Sequence, residues 1–192
     1  MTSGGTRPEA APEPSSAATQ LGDDWVPGPD GVPFRRGARV LLLDDAARIL
    51  LVRGHDMDQP DRSWWFTVGG GVDAGEAARD AAVRELFEET GLRLAAVDLV
   101  GPVAVRSATF AFLRRTVRQD EEFFLARVDG SAALTTDGWT EVERAFVDEV
   151  RWWDLDALEE VREEVFPVEL VPLVRGLLGG WDGVVRQLVD ER

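Results

Sequence analysis

Hydrophobic and polar positions alternate along the chain in a way that predicts a series of β-strands. Seven short segments are rich in Val, Ile, Leu, Phe and Trp and are bounded by polar or glycine-containing turns, which is typical of strands. The predicted strands are residues 39–43, 49–53, 65–68, 97–105, 107–113, 122–128 and 146–153. The polar segments 54–62, 114–120 and 130–143 are predicted to be loops.

Helices are predicted between two of these strands and after the last strand. Residues 76–90 contain neither Pro nor Gly and are rich in Ala, Glu, Arg and Leu, which favours a helix of about four turns. Gly91 follows at the position where a left-handed residue commonly ends a helix. Further helices are predicted from Leu155 and at residues 168–178 and 181–189. A mixed sheet with helices on both faces fits this order, so we predict an α/β fold.

The N-terminal segment differs in composition from the rest of the chain. Residues 1–33 are rich in Pro, Gly, Ala, Ser and Thr, which predicts a disordered or loosely docked tail. Trp25 and Val26 are the residues of this tail that could dock on the domain. The chain has 192 residues, of which 44% are hydrophobic, and residues 34–192 are predicted to form one domain that ends in C-terminal helices.

Charge and composition exclude several classes of function. The formal net charge of −15 makes nucleic-acid backbones and anionic membranes poor partners. The chain contains no Cys, which excludes disulfides, thiolate zinc sites and a cysteine nucleophile. No long apolar run predicts a membrane span, and we therefore expect a cytoplasmic protein.

The predicted helix at residues 76–90 has an acidic face. Glu85, Glu88 and Glu89 fall within one arc that is about 100° wide. Small side chains share that side of the helix: Ala78, Ala81 and Ala82. Bulky apolar side chains lie elsewhere and are predicted to face the core: Val83, Leu86 and Phe87.

A solvated acidic face is the ordinary interpretation of such a charge run. A solvated face normally interleaves basic residues, but this arc offers mainly Arg84, at its edge. A glycine-rich segment leads directly into the helix, and the alanines leave room for a close approach. Clustered carboxylates of this kind indicate a bound cation, and hard oxygen ligands suit Mg²⁺ or Mn²⁺.

The spacing of this segment resembles the Nudix box, the signature of Nudix hydrolases. Residues 70–92 read Gly70, five residues, Glu76, seven residues and then the run from Arg84 to Leu92, so all nine fixed positions are filled. The resemblance implies a Nudix-type α/β/α sandwich with a mixed central sheet. It also implies a hydrolase that cleaves a diphosphate bond in a nucleoside diphosphate linked to another group.

The resemblance also implies a metal site. Its ligands would be Glu85, Glu88, Glu89 and the backbone carbonyl of Gly69, and its metal would be Mg²⁺ or Mn²⁺. Arg84 would reach the next turn of the helix and orient one of the box carboxylates. Glu76 stands at the predicted helix start, where an acid is favoured by the helix dipole, and we interpret it as a cap.

Candidate substrate contacts are spread over several predicted elements. Arg53 at a strand end, Arg106, and Gly70 in the glycine-rich segment are candidates for contacting phosphate. Glu143 could contact the substrate or, like Glu141, act as the general base in place of a box glutamate. Each of these Arg and Glu side chains could instead be an ordinary solvated surface group.

Two classes of function remain open from the sequence. The first is the hydrolase, with a small nucleotide-type substrate (a nucleotide, a sugar nucleotide or a dinucleoside polyphosphate). The second is a Nudix-like module that senses a nucleotide without cleaving it. Such modules usually lose box acids, and here none is lost, so the enzyme is the favoured interpretation. A homodimer is left open.

Overall fold

The structure is a computed structural model that describes residues 21–22, 24–57, 59, 61–112 and 115–189, without the side chains of 141–143. Within this part, nine strands form one sheet. They are Val26–Pro27 (β1), Pro33–Leu43 (β2), Ile49–His55 (β3), Ser63–Gly71 (β4), Val100–Phe112 (β5), Arg115–Arg127 (β6), Val147–Trp153 (β7), Glu164–Phe166 (β8) and Arg186–Gln187 (β9). The helices are Ala78–Thr90 (α1), Glu141–Phe146 (α2), Leu155–Glu159 (α3) and Leu170–Leu177 (α4), with a 3₁₀ turn at Ala96–Asp98.

The sheet is mixed, as the sequence predicts. Its strand order is β7-β3-β4-β2-β6-β5-β9, with β1 added beside β2 and β8 beside β4. The central pair β2 and β6 is parallel over ten residues, from Phe34 opposite Arg118 to Leu43 opposite Arg127. The neighbouring pairs β2–β4, β3–β4, β3–β7 and β5–β6 are antiparallel.

Alternate residues of the central strand face two separate hydrophobic cores. Leu41 and Leu43 pack on one face, in the core that includes residues of α3 and α4. Val40 and Leu42 pack on the other face, in the core that includes α1. Both faces of the sheet are therefore covered, and the predicted α/β/α sandwich with a mixed central sheet is confirmed.

Three predictions of secondary structure are wrong in the structure. The predicted loop 114–120 is largely the first half of β6, and the two strands predicted at 97–105 and 107–113 form the single strand β5. The helix predicted at 181–189 does not form, because Gly180 and Gly183 have positive φ angles of 110° and 85°. The Asp182 side chain also accepts a hydrogen bond from Val184 N–H, which closes a turn instead.

Part of the N-terminal segment packs on the sheet. The Trp25 ring stacks on Phe112 with centroids 6.1 Å apart, and the Arg35 guanidinium lies 4.5 Å from the Trp25 centroid. Asp24 forms an ion pair of 2.9 Å with Arg35. The folded part therefore begins before Phe34, whereas residues 1–20 of the predicted tail lie outside the described residues.

The described helices are short. None of them has both the length and the apolar content that a membrane-spanning helix requires.

Candidate functional site

Helix α1 leads away from the glycine-rich end of β4, and its termination follows the sequence prediction. Gly91 has a φ of 73°, and its N–H donates to the Phe87 carbonyl over 2.8 Å, which ends the helix in a left-handed cap. The helix begins at Ala78, two residues later than predicted. Its N-cap residue is Ala77, which makes no side-chain capping bond.

The capping role predicted for Glu76 is wrong. The Glu76 carboxylate accepts a hydrogen bond from Asp73 N–H at 3.0 Å, within the turn that precedes the helix. It also accepts two from the Arg84 guanidinium, at 2.9 and 3.0 Å. These hydrogen bonds from Arg84 lower the pKa of Glu76 below its usual value. Glu76 therefore ties the turn to the second half of α1.

The acidic side of α1, not only its apolar side, faces the sheet. Seven residues of the helix are buried: Ala78, Ala81, Ala82, Glu85, Leu86, Glu89 and Thr90. Glu85 and Glu89 are 9% and 5% exposed. The core position predicted for Phe87 is wrong, because Phe87 is 38% exposed and the Arg93 guanidinium lies 3.8 Å from its ring centroid. The acidic face of α1 is therefore not fully exposed to solvent.

Two of the buried acids contact the glycine-rich end of β4. The Glu89 carboxylate accepts a hydrogen bond of 2.8 Å from the N–H of Gly69. A Cβ on Gly70 would lie 2.6 Å from the carboxyl carbon of Glu85, and a Cβ on Gly69 would lie 2.9 Å from the Cα of Arg39. Gly69 also has a φ of 127°, which side chains rarely adopt. Glycine at these positions therefore lets the helix carboxylates approach the strand backbone.

Arg84 joins the acids to one another. Its guanidinium donates to Glu85 at 2.7 Å, to Glu88 at 3.1 Å and to the Gly71 carbonyl at 2.9 Å, in addition to Glu76. The hydrogen bond with Glu76 is the main cause of the raised pKa of Arg84, which is further raised by Glu85. Arg84 thus balances the repulsion between neighbouring carboxylates.

The donor set of this site suits a hard divalent cation. Glu85, Glu88 and Glu89 supply carboxylate oxygens from one rigid helix, and these are the ligands that Mg²⁺ and Mn²⁺ prefer. In the described part of the chain, however, no group of three or more acidic or histidine side chains is already arranged around one point. Arg84 donates hydrogen bonds to two of the carboxylates, and the Gly69 N–H donates to the third.

A buried ion cluster next to this site is absent from the sequence prediction. Glu121 of β6 is 2% exposed, and its two carboxylate oxygens pair with Arg39 at 2.7 Å and Arg106 at 2.6 Å. Burial opposes the ionisation of Glu121, but the attraction of the two arginines outweighs it and lowers the pKa of Glu121. Every second residue in this part of β6 is buried: Val117, Gln119, Glu121 and Phe123. This alternation, which is typical of a strand with one buried face, was the signal available in the sequence.

The structure separates the predicted substrate contacts. Gly70 lies beside Glu85, and Arg106 belongs to the Glu121 cluster. Arg53 hydrogen-bonds to Ser63 at 3.0 Å and pairs with Asp148 at 3.6 Å, while its buried Nε makes no hydrogen bond within the described residues. Glu143 lies on α2, and its side chain, like that of Glu141, lies outside the described part.

The sequence of this chain matches a known protein family. Residues 33–174 match the family model described as NUDIX domain. A putative 8-oxo-dGTP diphosphatase of Bacillus subtilis (strain 168) is 35% identical over 102 residues, which are 53% of this chain and 58% of that protein. An RNA pyrophosphohydrolase of Dinoroseobacter shibae is 38% identical over 69 residues, or 36% of this chain and 41% of that protein.

Solved structures share the fold. The NUDIX domain of Shewanella oneidensis NrtR, in complex with ADP ribose, superposes with a TM-score of 0.55 at 17% identity. The match covers 74% of this chain and 86% of that chain. This likeness concerns the fold alone. The sequence matches, in turn, span about half the length of the two curated relatives.

Proposed function

The chain belongs to the NUDIX domain family, and we propose that it is a metal-dependent pyrophosphohydrolase that acts on nucleotides. The proposed substrate is a nucleoside diphosphate linked to another group. Water would add to one phosphorus, and the bridging oxygen would leave with the other phosphate while the water gives up its proton to a base. Such reactions depend mainly on positioning and on electrostatic stabilisation of the phosphate oxygens.

The contact between the acidic face of α1 and the glycine-rich end of β4 carries this proposal. Glu89 is buried and bonded to Gly69 N–H, and Glu85 lies against Gly70. Burying carboxylates is costly unless a cation or donors compensate them. A site that concentrates carboxylates beside a stretch of glycine backbone therefore fits binding of a divalent cation together with a phosphate chain.

We propose separate roles for the box residues. Glu88 and Glu89 would bind the metal directly, Glu85 would bind it directly or through water, and the Gly69 carbonyl would complete the set. When bound, Mg²⁺ or Mn²⁺ would lower the pKa of the attacking water and neutralise phosphate oxygens. Arg84 would keep the carboxylates of Glu85 and Glu88 oriented, as its present hydrogen bonds to both allow.

Arg53, Arg106, Gly70 and Glu143 remain the proposed substrate contacts. Arg53 has the most direct support, because its buried Nε makes no hydrogen bond in the described part of the chain and has only an ion pair of 3.8 Å with Glu163. A phosphate oxygen would satisfy that donor. Arg106 would have to share its guanidinium between a phosphate and Glu121.

The substrate class follows from charge and from the named relatives. The relatives are named as a putative 8-oxo-dGTP diphosphatase and an RNA pyrophosphohydrolase, and both names denote cleavage of a phosphoric anhydride. The net charge of −15 disfavours a long nucleic-acid backbone, so we propose a small nucleotide as the substrate. A cytoplasmic location and a homodimer stay predictions.

A substrate panel tests the proposed function. The full chain is incubated with nucleoside triphosphates, oxidised nucleotides, ADP-ribose, sugar nucleotides, dinucleoside polyphosphates and a 5′-triphosphorylated RNA oligonucleotide. Each is tested with Mg²⁺, with Mn²⁺ and with EDTA, and products are separated by ion-exchange chromatography. We expect metal-dependent cleavage of at least one small nucleotide and none with EDTA.

The alternative is a nucleotide-sensing module without catalysis. It predicts binding of a nucleotide by calorimetry with no turnover of any panel member by the folded protein. That result would contradict the proposed hydrolase. Preferential cleavage of the RNA oligonucleotide would instead contradict the proposed small substrate and leave the reaction class intact.

A further inference from the structure

A buried ion cluster lies on the face of the sheet opposite α1. Arg39 on β2 belongs to the same face as Leu41 and Leu43, because side chains of a strand alternate between faces. Its partner Glu121 lies on the neighbouring strand β6, opposite Gly37, and the Glu121 side chain is 1% exposed. The side chains of Arg39 and Arg106 are 12% and 13% exposed.

Stability alone gives little reason for such a cluster. Removing several charges from water is costly, and apolar residues of similar volume often stabilise a fold as well or better. Buried, mutually paired ionisable groups concentrate at functional sites, where they hold other groups in place. The contacts of Arg39 indicate which group is held here.

Arg39 bridges the cluster to the glycine-rich end of β4. Its Nε donates to Glu121 at 2.7 Å, while its Nη1 donates to the carbonyl of Gly69 and, at 3.4 Å, to that of Thr67. The N–H of Gly69 donates in turn to Glu89 of α1. Side chains from two different elements therefore fix the backbone of Gly69 at both its N–H and its carbonyl.

Gly69 needs such restraint because its own conformation is permissive. Its φ of 127° lies in a region that glycine enters freely, and the residue has no Cβ to limit its rotation. A small rotation of the backbone would redirect the carbonyl oxygen. The planar guanidinium of Arg39 can bond to a carboxylate and a carbonyl at once, which a single ammonium cannot do in the same geometry.

We propose that Arg39 is a positioning residue for the metal site, which orients the Gly69 carbonyl oxygen while the Glu121 carboxylate holds Arg39 in place. The inference rests on the proposed function, because it takes the Gly69 carbonyl to be a metal ligand. Groups that orient metal ligands commonly change metal affinity by about 10- to 100-fold when they are altered. Arg39 would act in this way from the opposite face of the sheet.

A matched pair of substitutions separates positioning from stability. Arg39→Lys and Arg106→Lys both keep a positive charge beside Glu121, and both lose the planar guanidinium group with its several N–H donors. The guanidinium of Arg39 also donates to the carbonyl of Gly69, so it makes a second contact besides the one with Glu121. Mn²⁺ affinity is measured by calorimetry without nucleotide, and the Mg²⁺-induced shift of Tm is measured in parallel.

We expect Arg39→Lys to weaken Mn²⁺ binding about 10-fold and Arg106→Lys to change it by less than about 2-fold. Unchanged Mn²⁺ affinity in Arg39→Lys would overturn this inference alone, and so would an equal loss in both variants. Absence of Mn²⁺ binding by the parent chain would overturn the proposed function and this inference with it.

A second pair of substitutions tests whether Arg39 positions the Gly69 carbonyl if Arg39→Lys does not fold. Arg39→Gln and Arg106→Gln each remove one positive charge, which by itself favours binding of a cation nearby. Weaker Mn²⁺ binding in Arg39→Gln alone would support positioning. Equal or stronger binding in Arg39→Gln, relative to the parent, would overturn it.

Discussion

Individual residues of α1 serve both the fold and the proposed chemistry. Glu89 accepts a hydrogen bond that fixes the Gly69 backbone, and Arg84 links Glu76, Glu85 and Glu88. Because these hydrogen bonds satisfy the carboxylates, the helix can bury part of its acidic face without a cation. A bound cation would then replace some of these contacts instead of meeting bare charges.

Glu76→Gln should lower the free energy of unfolding by about 1 kcal/mol at pH 7, measured by urea denaturation in EDTA. The pKa of Glu76 is depressed by Arg84, so its charge stabilises the fold above the unfolded value of 4.5. This contribution is lost as the pH falls through the lower, folded value. The difference between parent and variant should therefore shrink below pH 4.5.

A constant difference from pH 7 to pH 3 would contradict that account. It would mean that the loss comes from packing or from the hydrogen bond to Asp73 N–H, and not from the charge of Glu76.

The sequence predicted the acids of the box but not which face of the helix is buried. Periodicity assigned Phe87 to the core, although Phe87 is exposed and stacks with Arg93, while Glu85 and Glu89 are buried. The helical pattern shows which residues share one face of the helix. How deeply each face is buried depends on the element that packs against it. Here the partner is the end of β4, where Gly69, Gly70 and Gly71 have no side chains and the helix carboxylates can approach the backbone closely.

At the scale of elements, the segment 129–140 holds the C-terminal turn of α1. Thr135 N–H donates to the Thr90 carbonyl at 2.9 Å, and the Trp139 indole N–H donates to the Glu89 carbonyl at 3.0 Å. These carbonyls at the helix end would otherwise lack partners. The segment therefore fixes the turn of the helix that carries Glu88 and Glu89.

Gly138→Ala should destabilise the protein by about 1–3 kcal/mol, because a Cβ there would lie 2.9 Å from the Cα of Glu88 and still closer to its carbonyl oxygen. Thermal unfolding measures the loss. The matched control is Gly176→Ala in α4, where a Cβ would meet nothing within 4 Å. That control should be neutral or stabilise by up to about 1 kcal/mol, since alanine favours helices.

Equal effects of these two substitutions would show that the segment does not press on α1. The sequence alone predicted a plain polar loop at 130–143, because contacts between a loop and a distant helix end leave no periodic pattern. The same limit explains the missed half of β6, where charged residues on one face of the strand hide the buried alternation of Val117, Gln119 and Glu121.

At the scale of the whole molecule, the domain includes a short stretch of the N-terminal segment. β1 pairs with the start of β2, and Asp24 and Trp25 cover Arg35 and Phe112. Composition distinguishes this segment from the strands that follow, but it gives no information on whether one aromatic ring docks. The α/β/α arrangement itself was predictable, because it follows from the order of strands and helices.

Removal of residues 1–33 should lower stability by about 2 kcal/mol and Tm by roughly 5 °C, because the Trp25 stack and the Asp24 ion pair are lost. Removal of residues 1–20 is the control and should leave Tm within about 1 °C, because the composition of this segment predicts a disordered or loosely docked tail. Differential scanning calorimetry of both shortened chains provides the comparison. An unchanged Tm after removal of residues 1–33 would show that the segment docks too weakly to matter.

The most direct measurement of the central claim compares the parent chain with Glu89→Gln. The amide keeps a carbonyl oxygen that can accept from Gly69 N–H, so the fold should persist, but it loses the charge that would hold the metal. Glu160→Gln changes an exposed residue at the end of α3, which packs on the face of the sheet opposite α1, and is the matched control. Turnover of the best panel substrate and the Mg²⁺-induced Tm shift are measured for all three proteins.

We expect Glu89→Gln to lose at least about 100-fold in turnover and most of its Mg²⁺-induced Tm shift, with metal-free stability equal to or slightly above that of the parent. The control should match the parent in both measurements. If Glu89→Gln instead keeps most of its turnover and its response to Mg²⁺, the acidic face of α1 is not the metal site and the proposed mechanism is wrong.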